Sequence, residues 1–302
     1  MTLQQQIRAN RFRSLLVLLL FAALIAVLAG VLAVGVDRSL GIGVLVAGLV
    51  YTIVSLAASR RMVTSLAHAT PVVAKEDDPE LFRIVENVSI AAGLTKPPQI
   101  WVIDDPAPNA LAGGLRPETS LVAVTTGLRQ LMSRRELEGV IAHEIAHIRN
   151  RDTRLMTIAA VLAGAVAMIC DIAFRMALAG RGRRDQSPIT VIPVIVALVL
   201  APIAAMMLQL ALSRRREFLA DASAAAILND PEAMALALRK LQLDQQTVHY
   251  ADHAIAHMYI ESPVHRIRGV GELLGNLFQT HPPLEERISR LEEAGGFRVE
   301  GA

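Results

Sequence analysis

The sequence predicts a mainly α-helical membrane protein with four transmembrane helices and an α+β part that contains a small β-sheet. Its 302 residues are 53% hydrophobic, which exceeds the share that is usual for a soluble domain. The apolar residues are concentrated in four long runs, whereas the other segments show helical periodicity or short β-branched stretches. We therefore expect membrane helices combined with a folded polar domain.

The four apolar runs have the length of membrane spans. Residues 14–36 and 39–59 carry no charged side chain, and neither do residues 187–213, whereas about 20 residues suffice to cross a bilayer. The third run is uncharged from Leu155 to Cys170 and then continues past one Asp and one Arg. We interpret the first run as a retained anchor, because a second run follows it at once. The expected spans are residues 14–36, 39–59, 155–179 and 188–212.

These spans divide the chain into two hairpins and two polar parts. We predict transmembrane hairpins at residues 1–61 and 155–213, and we expect residues 62–154 and 214–302 to fold together as one domain. Arginines flank both hairpins, so the positive-inside rule assigns the N-terminus and both polar parts to the cytoplasm. Three arginines in the loop of the second hairpin oppose this assignment, which leaves open that its two spans do not cross the membrane fully.

Composition excludes some classes of function. The formal net charge is only +2 and no basic stripe lies outside the membrane flanks, so the sequence gives no support for nucleic-acid binding. Cys170 is the single cysteine of the chain, which excludes an intrachain disulfide and a cysteine-based metal site.

The polar parts show signals for both helices and strands. Asn229 is predicted to cap a helix whose first turn contains Pro231. Residues 109–114 lie between prolines and a glycine pair, which is typical of a short edge strand. The other predicted elements are helices at 78–92, at 214–226 and after Pro283, strands at 100–104 and 120–125, and a loop at 264–275.

One pentapeptide, His-Glu-Ile-Ala-His at residues 143–147, indicates the chemistry. Ser133 and Glu136 form a capping box that predicts a helix here. On a helix His143 and His147 lie one turn apart on the same face, where both reach one ion, with Glu144 beside them. This is the ligand pair and general base of a zinc peptidase. The alternative is a solvated helix face that binds nothing.

The pentapeptide supplies two ligands, so a metal site requires a third. Glu217 and Asp221 lie four residues apart on a predicted helix beyond the fourth span. One of these carboxylates can bind a metal, while the other orients a ligand imidazole. Because Arg214, Arg215 and Arg216 precede them, the alternative is an ordinary ion-paired helix at the membrane surface.

Taken together, these motifs resemble the membrane-bound zinc metalloproteases of family M48, in particular the HtpX group of bacteria and archaea. The resemblance extends over the whole chain. It includes Pro-Asn-Ala at residues 108–110, Thr-His-Pro-Pro at residues 280–283, and two spans before and two within the catalytic part. It implies a zincin-like catalytic domain of α+β class built around the His-Glu-x-x-His helix.

The resemblance also assigns roles to residues. It implies His143, His147 and Glu217 as zinc ligands and Glu144 as the catalytic base. It implies that Asp221 orients a ligand imidazole. It further implies Asn109, Ala110 and Arg287 as substrate-binding residues and His281 as a catalytic residue, for which we predict donation to the oxyanion, with a purely structural role as the alternative.

The activity implied by the resemblance is that of a membrane-anchored endopeptidase with one zinc ion per chain. Its expected substrates are misfolded or damaged proteins, chiefly of the membrane, cleaved at the cytoplasmic face of the inner membrane. If the motif helix continues into the third span, His147 lies about 12 Å from Leu155, so the metal is expected close to the bilayer. Manganese or cobalt in place of zinc, and the oligomeric state, stay open.

Three rival interpretations compete with this one. An intramembrane protease would carry the motif within an apolar run, but charged residues flank it on both sides. A metal transporter would need ionisable residues within the spans, and no histidine lies in one. A catalytically dead scaffold is the third.

Separately, His249, His253 and His257 have the spacing of an accessory metal site, with a solvated helix face as the alternative.

Overall fold

The computed structural model describes residues 3–35, 37–72, 74–179, 216–244 and 281–299, together with 195, 198–199, 201–204, 246, 255 and 258–260. The helices are α1 (Leu3–Gly35), α2 (Arg38–Ala57), α3 (Ser59–Leu66), α4 (Pro79–Ala91), α5 (Thr126–Leu131), α6 (Arg134–Arg149), α7 (Asp152–Ala179), α8 (residues 216–228), α9 (Pro231–Leu243) and α10 (Leu284–Gly295).

A four-stranded mixed sheet accompanies these helices. Its strands are β1 (Ala69–Pro71), β2 (Gln99–Ile103), β3 (Ala110–Gly113) and β4 (Leu121–Thr125), in the order β1-β2-β4-β3. β2 and β4 run parallel, while β1 and β3 pair antiparallel with their neighbours. The predicted edge position of the Pro-Asn-Ala strand is confirmed, because β3 lies at one end of the sheet.

Two described helices are long and apolar enough to cross a membrane, with windows at Leu15–Val34 and Asp152–Asp171. α2 is a third candidate only if it is counted together with α3, and the two helices are bent by 82° relative to each other. Along these stretches 76% of α7 is buried within the protein against 33% of α1, and α7 packs against both α1 and α2. Of the four predicted spans, the fourth lies mostly outside the described residues, and four spans are not confirmed.

α6 runs through the centre of the polar domain. It packs against α4, α9 and β3. Val140, Ile141 and Ile145 are fully buried in a core cluster that also contains residues of α4, α9, α10 and the sheet. Side chains from residues before and after the second predicted hairpin therefore share one core, and α6 is held on several sides.

The chain breaks sharply between α6 and α7. Asn150 follows the last residue of α6, and Arg151 adopts a left-handed backbone conformation with φ of 61°. α7 then begins at Asp152. The assumption of one continuous helix from His147 to Leu155 was therefore wrong, because a left-handed residue ends the regular helical hydrogen bonding.

Several other predictions can be compared with the structure. The predicted helix at 78–92 and the strands at 100–104 and 120–125 are confirmed to within about one residue. The prediction of Asn229 as a helix cap was wrong. Asn229 has a positive φ of 52°, and the side chain of Asp230 accepts the N–H of Ala233 instead. Pro231 does occupy the first turn. β1, α3 and α5 were not predicted.

Some predictions concern parts of the chain that the structure does not describe. These are the accessory metal site of His249, His253 and His257, the loop at residues 264–275 and the loop of the second hairpin.

Candidate active site

The first three candidate residues lie on α6, and local sequence positions this helix. The side chain of Ser133 accepts the N–H of Glu136, and the N–H of Ser133 donates to the Glu136 carboxylate, so the predicted capping box is confirmed. These two hydrogen bonds satisfy N–H groups that have no acceptor within the helix. His143, Glu144 and His147 are each at most 3% exposed.

His143, His147 and Glu217 converge on one point. The Nε2 atoms of the two histidines are 3.1 Å apart. Glu217 on α8 approaches both, with Oε2 at 3.5 Å from Nε2 of His143 and Oε1 at 3.6 Å from Nε2 of His147. A tetrahedral zinc ion with bonds of about 2.0–2.2 Å holds its ligand atoms about 3.3–3.6 Å apart. The three side chains therefore have the spacing and the chemistry of a metal site.

The other ring nitrogens of the two histidines face carboxylates. Nδ1 of His143 lies 2.9 Å from Oδ1 of Asp221, as expected for a residue that orients a ligand imidazole. Nδ1 of His147 lies 3.2 Å from Oδ2 of Asp152. Asp152 was not predicted as a site residue, because five residues of continuous helix would turn it about 140° away from His147.

The electrostatics of the site favour bound positive charge. Burial opposes a charge on His143, but hydrogen bonds to Asp221 and Glu217 raise the pKa of its imidazole to about 9. Burial likewise opposes ionisation of Glu217. The neighbouring histidines, of which His281 has the largest effect, nevertheless hold the pKa of Glu217 well below its ordinary value. The pKa of Asp221 is lowered as well, so both carboxylates are ionised although they are buried. Buried negative charge of this kind stabilises a divalent cation.

Glu144 differs from the other acidic residues of the site. It is 1% exposed, and its Oε2 atom has no hydrogen-bond partner among the described residues. Burial raises the pKa of this carboxyl group above its usual range, with partial opposition from His143 and His147. An unpartnered carboxylate oxygen beside a metal site is suited to accept a proton.

Arg287 is fully buried and lies next to Glu217 and Asp221. Its Nε and Nη2 atoms donate to the two oxygens of Asp221 at 2.8 and 2.7 Å, and Nη1 donates to the carbonyl of Ile260 at 3.1 Å. Nη1 is also 3.5 Å from Oε2 of Glu217. We predicted a substrate-binding role for Arg287. That role stays a prediction. All three donor groups of the guanidinium already face partners within the protein, and two of these partners are the oxygens of Asp221.

His281 reaches the site from the segment before α10. Its Nδ1 atom lies 3.2 Å from Oε2 of Glu217, and the residue is 6% exposed. Neither ring nitrogen has an aligned hydrogen bond within the described part of the chain. The structure thus brings His281 to Glu217, the third candidate ligand, and donation by His281 to an oxyanion stays a prediction.

Asn109 and Ala110 lie where β3 begins. The side-chain oxygen of Asn109 accepts the N–H of Ala110 at 3.0 Å. The outer edge of β3 already has a partner, because the N–H of Ile260 donates to the carbonyl of Ala110 at 2.9 Å and Leu111 forms an antiparallel bridge with Tyr259. A peptide that pairs with the carbonyl of Ala110 must replace Ile260 there.

Known proteins resemble this chain over most of its length. The family model for peptidase family M48 matches residues 75–295. A protease HtpX homolog of Lactobacillus helveticus is 38% identical over 304 residues, covering 96% of this chain and 99% of its own. A protease HtpX homolog of Streptococcus pyogenes serotype M49 is 42% identical over 303 residues, with the same coverage.

A solved structure shares the fold. The crystal structure of S. mikatae Ste24p superposes with a TM-score of 0.50 at 17% sequence identity, covering 94% of this chain and 66% of that one. The family match includes α6 and Glu217, the two sources of the metal-ligating side chains. The chain therefore belongs to peptidase family M48, and it is a metalloprotease similar to the HtpX proteases.

Proposed function

We propose that the chain is a membrane-anchored endopeptidase that uses one zinc ion, held by His143, His147 and Glu217. The observation that carries the proposal is the mutual spacing of three buried ligand atoms, all within 4.8 Å of one another. Two imidazoles and one carboxylate form a ligand set that suits catalytic zinc and leaves one tetrahedral position open. The same set would also accept other divalent ions, so zinc itself requires measurement.

The side chains around the three candidate ligands would have different roles in peptide hydrolysis. A zinc ion held by His143, His147 and Glu217 would supply Lewis acidity to the site. Glu144 takes a proton from the attacking water on its unpartnered oxygen and delivers it to the leaving amine. We propose that His281 donates to the developing oxyanion. Asn109 and Ala110 would contact the substrate backbone.

Glu217→Ala is expected to remove the metal. Loss of a residue that only hydrogen-bonds a metal ligand lowers metal affinity about 10–100-fold. Loss of Glu217, a ligand itself, should lower zinc affinity by more than this, and the rate of proteolysis should fall as well. Zinc content per chain, measured after dialysis against a chelator, reports the effect directly. Glu232→Ala is the matched control, because Glu232 is a half-exposed acid that pairs with Arg135 away from the site. Full zinc content in Glu217→Ala would remove Glu217 from the ligand set.

We further propose that the substrates are misfolded or damaged proteins of the membrane. Residues 62–154 and 214–302 would form one catalytic domain on the cytoplasmic side. One hairpin, at 1–61, would precede this domain, and the other, at 155–213, would interrupt it. The shared core of α4, α6, α9 and α10 supports one domain. A site near the bilayer is supported by His147, which lies only five residues before α7, the start of a candidate span. A substrate that replaces Ile260 and pairs its backbone with β3 would be bound with little dependence on its sequence.

The same target sequence should be cleaved fastest in a cytoplasmic loop of a membrane protein. A site next to the cytoplasmic membrane surface raises the effective concentration of such a loop, whereas a loop on the other side is out of reach. Cleavage rates in cells would be compared for the target in a cytoplasmic loop, in an external loop and in a free soluble chain. Equal rates for the cytoplasmic loop and the free chain contradict the substrate class, and preference for the external loop contradicts the orientation.

A further inference from the structure

The two candidate ligand histidines are held in the same manner by different parts of the chain. Each presents Nε2 to Glu217 and Nδ1 to a buried carboxylate. For His143 that carboxylate is Asp221 on α8, and for His147 it is Asp152 at the start of α7. We infer that Asp152 is a positioning residue of the metal site, which sets the tautomer and orientation of His147. This inference rests on the proposed metal-dependent function.

The geometry supports the assignment. Oδ2 of Asp152 lies 3.2 Å from Nδ1 of His147, and Asp152 is completely buried. An ionised carboxylate only accepts hydrogen bonds, so Nδ1 of His147 carries the proton and Nε2 keeps its lone pair. That lone pair is the one directed toward the other two ligands, at 3.1 Å from His143 and 3.6 Å from Glu217. A carboxylate in this place also makes the imidazole a stronger ligand.

The helix break makes this contact possible. The left-handed conformation of Arg151 turns the chain between the two helices and brings the first residue of α7 back toward His147. One ligand of the metal is thereby bonded directly to the N-terminus of a candidate membrane span. Asp152 has a competing, purely structural explanation, since an acidic side chain in the first turn stabilises a helix through its dipole.

Metal affinity separates the two explanations. Asp152→Ala removes the acceptor, and the zinc dissociation constant of the folded protein is expected to rise about 10–100-fold. Asp152→Asn keeps an oxygen that accepts the same hydrogen bond, so its affinity should lie between those of Asp152→Ala and the wild type. Asp171→Ala is the matched control, because Asp171 lies on the same helix but is 56% exposed and bonded to Arg175. The purified full-length chain in detergent would be titrated with zinc against a chromophoric chelator.

Cobalt substitution and thermal unfolding complete the experiment. The visible absorption of bound cobalt should change in Asp152→Ala, because the orientation of His147 changes, and should not change in Asp171→Ala. Wild-type affinity and spectrum in Asp152→Ala, with a lower unfolding temperature, would assign Asp152 to the helix dipole and overturn the inference. If Asp152→Ala does not fold, wild-type affinity in Asp152→Asn overturns it equally. A wild-type chain that binds neither ion refutes the proposed function itself, and the inference with it.

Discussion

Replacement of Glu144 with Gln should lower the rate of peptide cleavage by about 100- to 10,000-fold while the protein keeps its metal. Gln has nearly the same shape as Glu, so the packing of α6 and the spacing of His143 and His147 are preserved. It cannot take a proton from water at neutral pH. Because the buried carboxylate of Glu144 has an oxygen without a hydrogen-bond partner among the described residues, loss of its charge should not destabilise the fold.

Cleavage of a fluorescently labelled unfolded protein and zinc content would be measured on the same preparation. Glu138→Gln is the matched control, because Glu138 lies on α6 as well but pairs at the surface with Arg134. The control should cleave at the wild-type rate. Unchanged cleavage in Glu144→Gln would contradict the mechanism, and equal loss of zinc and activity would make Glu144 a part of the metal site instead of the base.

Arg287→Ala should destabilise the folded chain by about 3–5 kcal/mol, because it leaves a buried ion pair without its cation. The guanidinium forms two hydrogen bonds to Asp221 and one to the carbonyl of Ile260, and it is fully buried. Burial opposes ionisation of Asp221, and the charge of Arg287 holds the pKa of that carboxyl group below its usual value. Without Arg287, the buried carboxylate that faces His143 would lose two hydrogen bonds and the cation nearest to it.

The free energy of unfolding can be measured by denaturant titration in detergent, with Trp101, the single tryptophan, as the fluorescent reporter. Arg290→Ala is the matched control on α10, because Arg290 is 55% exposed and pairs with Glu286. It should cost at most about 1 kcal/mol. Arg287→Lys keeps the charge but not the bidentate geometry, so it should recover only part of the loss. A loss in Arg287→Ala no larger than that of the control would contradict the role of Arg287.

Local signals in the sequence were sufficient for much of the fold. The capping box at Ser133 and Glu136 predicted the start of α6, because its hydrogen bonds join residues only three positions apart. The spacing of His143 and His147 predicted that both imidazoles share one face, since it depends only on the helical repeat. The predicted N-cap of α9 was wrong by one residue, because Asn229 and Asp230 are adjacent and both side chains can cap a helix.

The helix that carries two ligands and the base, the apolar runs and the motifs of family M48 were all evident from the amino-acid sequence, because each depends on residues close together in the chain. Contacts between residues far apart in the chain became visible in the folded protein. It paired Arg287 with Asp221 across 66 residues. It also turned Asp152 onto His147 through one left-handed residue and occupied the edge of β3 with Ile260. Such contacts arise from the packing of several elements at once, which no local pattern records.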